Sequence, residues 1–127
     1  MNTFTKKERL NSKKNIQLLF EKGTTFFSHP FKVYFSVLEA EDTLSGASIL
    51  FSVGKRQFKQ AVDRNRVKRL CRETYRLNKG FLIETLKQEN RYLEIALVYV
   101  SKTIPDFAEL QINMQKILAR LANSKKK

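Results

Sequence analysis

FSVGKRQFKQAVDRNRVKRLCRETYR, residues 51–76, changes its period partway along, and that change decides the fold. Its first residues close the stretch SILFSV (48–53), in which Ile49, Phe51 and Val53 alternate with Ser48, Leu50 and Ser52. A period of two marks a strand that buries one face. From Asp63 onward the period lengthens. At about 100° per residue, Val67, Leu70, Cys71, Thr74 and Leu77 share an arc of roughly 120°. Asn65, Lys68, Arg69, Arg72 and Arg76 occupy the opposite arc, with Arg64 and Arg66 at the margins. The segment reads as a strand and then a helix, with one helical face docked on a sheet and the other cationic. The wheel does not extend backwards, because Phe58, Ala61 and Val62 would land among the cations. Either the helix begins near Asp63, which could then serve as N-cap, or an earlier turn meets the core by a different route.

Working outward, FKVYFSVL (31–38) alternates with Phe31, Val33, Phe35 and Val37 facing the core. The acidic, turn-like EAEDTLSG between it and residues 48–53 predicts a hairpin. TTFFS, before His29 and Pro30, fits a further short edge strand. YLEIALVYV (92–100) is apolar on both faces, which suits a central strand. Ile16, Leu19 and Phe20 predict a helix at about 13–22, with Ser12 as N-cap and Gly23 as its left-handed end. Phe107, Leu110, Met114, Ile117, Leu118 and Leu121 trace an amphipathic helix to about residue 122. GFLIETLKQEN (80–90) fits a helical turn or a loop. The order is α-β-β-β-α-β-α, an α+β two-layer sandwich with a mostly antiparallel sheet. Residues 1–127 read as a single domain, with a mobile basic arm at 1–10 and a mobile basic tail at 123–127.

The charge narrows the function. Lys and Arg number 25 against 12 Asp and Glu, a formal net charge of +13. Such an imbalance costs self-repulsion and points to a polyanionic partner. No apolar run approaches the roughly 18 residues of a membrane span, and the first 15 residues contain no apolar signal-peptide core. A single cysteine, Cys71, leaves no internal disulfide framework. The expectation is a cytoplasmic protein that does not enter a membrane. Residues 52–80 hold ten basic residues (55, 56, 59, 64, 66, 68, 69, 72, 76, 79) against two acids (63, 73), a net of +8. A merely solvated helix face mixes its signs to form i,i+4 pairs; here Arg64, Lys68, Arg72 and Arg76 repel at that spacing. The helix is therefore read as a phosphate-binding surface. Asn65, between two arginines, adds an amide suited to a 2′-hydroxyl or a base edge.

Nothing in the sequence composes an active site. Acid–base cleavage of a phosphodiester calls for two tuned groups, commonly histidines, and His29 is the one histidine. Glu39, Glu41 and Asp42 fall together in the expected hairpin loop, and the other acids are scattered. Cys71 lies on the docking face, one Cys and one His cannot build a zinc site, and the four glycines form no phosphate loop. The expectation is a binding protein with no catalytic residue and no metal ligand of its own.

Residues 51–76 closely resemble the signature of the protein subunit of bacterial ribonuclease P. The matching features are a strand ending in Ser52-Val53, the basic pair Lys55-Arg56, Ala61-Val62, Arg64-Asn65-Arg66, and the basic-apolar run Val67-Lys68-Arg69-Leu70 with Arg72-Glu73. Phe20-x-x-Gly23-Thr24, Phe31 and Tyr34 extend the resemblance upstream. Two positions depart from it: Lys59-Gln60 stands where many members have Gly-Asn, and Ile16 where an aromatic is common. The resemblance implies a left-handed βαβ crossover, against the general right-handed rule. It also implies an auxiliary protein for a catalytic RNA that trims the 5′ leader from precursor tRNA, with Mg2+ required by the complex and no cofactor bound by the protein alone. On that resemblance Lys55, Arg56, Lys59, Arg64, Asn65, Arg66, Lys68, Arg69, Arg72 and Arg76 hold the RNA subunit. Ile16, Phe20, Phe31, Lys32 and Tyr34 line a leader-binding cleft between the sheet and the first helix, and the protein is a monomer within the complex. Alternation alone sends Phe31 to the core and Lys32 and Tyr34 to the other face. The rival reading is a small ribosomal or ribosome-associated RNA-binding protein.

Overall fold

A computed structural model describes residues 13–39 and 46–124. The elements are α1 (Lys13–Lys22), β1 (Thr24–Ser28), β2 (Phe31–Glu39), β3 (Gly46–Val53), α2 (Ala61–Asn78), α3 (Gly80–Gln88), β4 (Arg91–Tyr99) and α4 (Phe107–Ala122). The strand and helix periods place all the expected elements, and residues 80–88 form the additional helix α3. Leu82 and Leu86, four apart, are its buried face. Asn90, at φ 55°, takes the left-handed conformation that lets the chain leave α3 for β4.

The strands lie in the order β1-β2-β4-β3. β2 does not form a hairpin with β3, as the acidic stretch between them suggests. It pairs antiparallel with β1 and β4, from Phe31↔Tyr99 to Glu39↔Arg91, while β3 pairs parallel with β4. β4 is apolar on both faces, so burial favours it between the other two. Parallel pairing of β3 with β4 then requires a long crossover, which α2 and α3 supply. Residues 40–45 and the expected arm at 1–10, N-cap Ser12 and most of the basic tail fall outside the described residues.

The two faces of the sheet are covered unequally. Phe31, Val33, Phe35, Ile49, Phe51, Val53, Leu93, Ile95 and Leu97 point into the main core, beneath α2, α3 and α4. Leu110, Met114, Ile117, Leu118 and Leu121 form the inner face of α4, as their spacing predicts. Among the described residues, α1 is the one helix on the other face. Its Leu19 packs on Ala96, with Ile16, Tyr34 and Leu50 around them. Gly23 ends α1 without the expected left-handed backbone. Its reason is close approach: a Cβ there would stand 2.4 Å from the Leu19 carbonyl oxygen and 3.2 Å from that of Phe35.

The break in phase before Asp63 is resolved by a loop. α2 begins at Ala61, with Gln60 as a cap residue that offers no side-chain hydrogen bond, so Asp63 is not the N-cap. Its carboxylate sits in the first turn, where it meets the positive end of the helix dipole. Phe58 precedes the helix and reaches the core separately, stacked on Tyr99 with ring centroids 6.2 Å apart. Val62 is helical and 68% exposed, on the cationic side as the wheel places it. The docking stripe is also turned from the sequence-based one. Val67, Cys71, Thr74 and Tyr75 are buried, whereas Leu77 is exposed. Tyr75 drives the turn, because its ring packs edge-on against Phe51 at 6.0 Å.

Candidate nucleic-acid interface

The outward side of α2 presents Asn65, Arg66, Arg69 and Arg72 to solvent, with Lys68 half-buried beside them. Lys55, Arg56 and Lys59 are exposed on the loop that leads into the helix. Within α2 only Asp63 and Glu73 carry negative charge, and Glu73 is committed. Arg76 donates to both of its oxygens, with Nη2–Oε1 at 2.5 Å and Nε–Oε2 at 3.2 Å. That bond holds the Glu73 carboxyl below its ordinary range. Arg76 is thus partly engaged within the helix, while the row Arg66, Arg69 and Arg72 has no carboxylate bonded to it among the described residues.

Arg64 behaves differently from its neighbours. It is half-buried, and its Nη1 donates to the carbonyls of Phe58 at 2.9 Å and Lys59 at 3.0 Å. The guanidinium therefore ties the start of α2 to the loop, whose turn is closed by bonds from Gln57 and Phe58 N–H to the Gly54 carbonyl. Through that tie it sets where Lys55, Arg56 and Lys59 stand. Replacing Arg64 by Ala should lower stability by about 1–2 kcal/mol, since two charge-assisted bonds to carbonyls are lost. Arg66→Ala should stay within about 0.5 kcal/mol of the parent, as exposed side chains usually do. Thermal melts of the two variants check the contrast, and equal melting points would mean that Arg64 clamps nothing.

The second surface is the sheet face under α1. Strand alternation turns Lys32 and Tyr34 to this side, and β2–β4 register sets Tyr34 beside Ala96, on which α1 rests. Phe20 leans over Tyr34 with ring centroids 4.7 Å apart and planes at 69°. Lys32 Nζ lies 5.2 Å from the Tyr34 ring centroid, a cation–π distance. Ile16 is half-buried in the same cluster. These four residues therefore gather on one face of the sheet. Phe31 does not join them. It has no exposed surface and packs edge-on to Tyr99 at 5.6 Å on the opposite side of the sheet, because odd residues of β2 face the main core.

Sequence reasoning also missed part of this face. Phe27 of β1 pairs with Lys32, Lys32 with Val98, and Val98 with Ser52, so one row crosses the four strands beside this cluster. It ends two residues before Gly54, where the cationic loop begins. The row thus runs from Phe27 on one edge strand to the end of β3 on the other, where the loop before α2 starts. The doublet Phe26-Phe27 carried the signal, since alternation must send one ring to each face; the row itself needed the strand order.

No group of three or more His, Cys, Asp or Glu side chains gathers to hold a metal ion among the described residues. Cys71 is buried in the core, and burial pushes its thiol up to about 12. His29 is exposed. No helix is long and apolar enough to cross a membrane.

Comparison with known proteins gives a consistent result. The family profile described as Ribonuclease P matches residues 4–122. The ribonuclease P protein component of Porphyromonas gingivalis is 42% identical over 120 residues, covering 94% of this chain and 87% of the relative. That of Chlorobium phaeobacteroides is 31% identical over 128 residues, covering 93% and 87%. Among solved structures, the RNase P protein from Thermotoga maritima superposes with a TM-score of 0.68 at 24% identity, covering 89% of this chain and 96% of that one. The last comparison speaks for the fold alone.

Proposed function

Since the chain belongs to the ribonuclease P family, as the auxiliary protein subunit of a ribonucleoprotein endoribonuclease that acts on precursor tRNA, we propose that its two surfaces divide the contacts of that enzyme. The exposed face of α2, with Lys55, Arg56 and Lys59 of the adjoining loop, holds the catalytic RNA. The cleft of Phe20, Lys32 and Tyr34, walled by Ile16, holds the single-stranded 5′ leader. The observation that carries the reading is the separation on α2: an apolar stripe buried on the sheet, and opposite it Asn65, Arg66, Arg69 and Arg72 all exposed. Such a face neutralises phosphates without reading sequence. In the cleft a ring face and an ammonium lie side by side, which suits unpaired bases stacked along a phosphate backbone.

Among the described residues no set of three or more His, Cys, Asp or Glu side chains is gathered for a metal ion, and we assign the Mg2+ of the complex to the RNA. We place one copy of the protein in each complex, in the cytoplasm. Neither the family match nor the fold favours a ribosomal protein.

Reconstitution with the RNA subunit tests the division. The complex should cleave precursor tRNA at a lower magnesium concentration than the RNA alone, while purified protein alone cuts nothing. Cleavage by the protein alone, or an unchanged magnesium requirement, overturns the assignment. Within that complex Tyr34→Ala should weaken precursor tRNA by about 1–3 kcal/mol, the worth of one stacked base, and leave mature tRNA unaffected. Equal loss on both would remove the leader from the cleft.

A further inference from the structure

Tyr34 is not the last aromatic ring on its face of the sheet. β1 carries two adjacent phenylalanines, and alternation parts them. Phe26 turns to the main core, edge-on to Phe35 at 5.9 Å, with the Arg120 guanidinium 4.1 Å from its ring centroid. Phe27 turns to the α1 side, where it is 61% exposed. Directly opposite it in the β1–β2 ladder is Lys32, whose Nζ approaches the Tyr34 ring. Tyr34 is opposite Thr25, so Phe27 is its diagonal neighbour, at a typical separation of about 7–8 Å. The His29 ring stands beside Phe27 at 6.3 Å.

A phenyl ring left in water contributes little to the fold, and an apolar side chain on an edge strand invites unwanted pairing. Here it lies beside a lysine and one diagonal step from the cleft aromatic. Rings interleaved with cations along one track hold unpaired nucleotides without demanding a sequence. Position supplies direction as well. β1 and β3 are opposite edges of the sheet, and the cationic loop and α2 follow β3. A strand of RNA running from the α2 side across Tyr34 reaches Phe27 last.

Resting on the leader-cleft reading above, we propose that Phe27, flanked by His29 and separated from Tyr34 by Lys32, is a second base-stacking platform for the 5′ leader. It takes a nucleotide farther from the cleavage site than those held at Tyr34. The occupant is an unpaired RNA base of any identity, because a phenyl face offers no hydrogen bond with which to choose.

Leader length tests this in the assembled complex of full-length protein and RNA subunit. Precursor tRNAs whose leaders grow one nucleotide at a time should bind the parent complex in rising steps. Tyr34→Ala should remove an early step. Phe27→Ala should match the parent on short leaders and lose a later step, by about five-fold or more. Phe27→Tyr, which keeps the ring, should restore that step, and Phe27→Leu, which keeps only bulk, should not. Phe27→Ala binding long leaders as tightly as the parent, while Tyr34→Ala loses its step, overturns the platform and leaves the cleft standing. Equal loss at every length also overturns it. A parent complex indifferent to leader length overturns platform and cleft together.

Discussion

Replacing Arg66, Arg69 and Arg72 together by Ala should nearly abolish binding to the RNA subunit without harming the fold. All three side chains are exposed on the outer face of α2 and none is bonded to a carboxylate among the described residues. A hydrogen bond to a charged partner is worth about 1.5 kcal/mol at the low end, so three such losses amount to roughly a thousand-fold in affinity. Salt dependence gives a second readout. Each phosphate contact contributes about 0.7–0.9 to the slope of log K against log salt, and the triple variant should flatten it by about two to three. Stability should hold or rise by a few tenths of a kcal/mol, because like charges three and four residues apart are removed. Titrations at several salt concentrations, with thermal melts alongside, measure both. A slope unchanged from the parent would mean that these arginines touch no phosphate.

Phe31→Ala should do the reverse, destabilising the protein while leaving its RNA preferences intact. Phe31 is wholly buried on the core side of β2, edge-on to Tyr99, which in turn stacks on Phe58. Phe→Ala in such a place costs about 3–5 kcal/mol, from lost transfer energy and the cavity left behind. At about 2–8 °C of melting temperature per kcal/mol, the fall should exceed roughly 6 °C. Where the variant is still folded, it should discriminate precursor from mature tRNA as the parent does. A variant that melts normally but loses that discrimination would return Phe31 to the cleft. Set beside Tyr34→Ala, the result would separate, within three positions of one strand, a residue expected to act on stability from one expected to act on recognition.

The same strand shows how much of the fold and the site is legible in the sequence. Period two fixes which face a residue joins, so it places Lys32 and Tyr34 together, and it sends Phe31 to the core even though the resemblance assigns that residue to the cleft. Period does not say which strand lies alongside. The hairpin expected between β2 and β3 fails for that reason: their separation in sequence is short, but the doubly apolar β4 takes the place between them. On α2 the wheel finds the cationic face and misses the buried Tyr75, since hydropathy alone does not show that a large ring will reach across to Phe51. The role of Arg64 is hidden for a related reason. A charged side chain in a basic run reads as a surface contact until the loop carbonyls it meets have positions.

The parallel pairing of β3 with β4 has a consequence for synthesis. β4 is the middle of the sheet but the last strand made, so β2 and β3 have no common partner until residues 91–99 have left the ribosome. Until then α2 has no finished sheet on which to bury its apolar stripe. A nascent chain shorter than this holds every arginine of the cationic row on α2 and no finished sheet to fix the direction of that row. Because the sheet closes on a strand made after α2 and α3, that row is aimed late in synthesis.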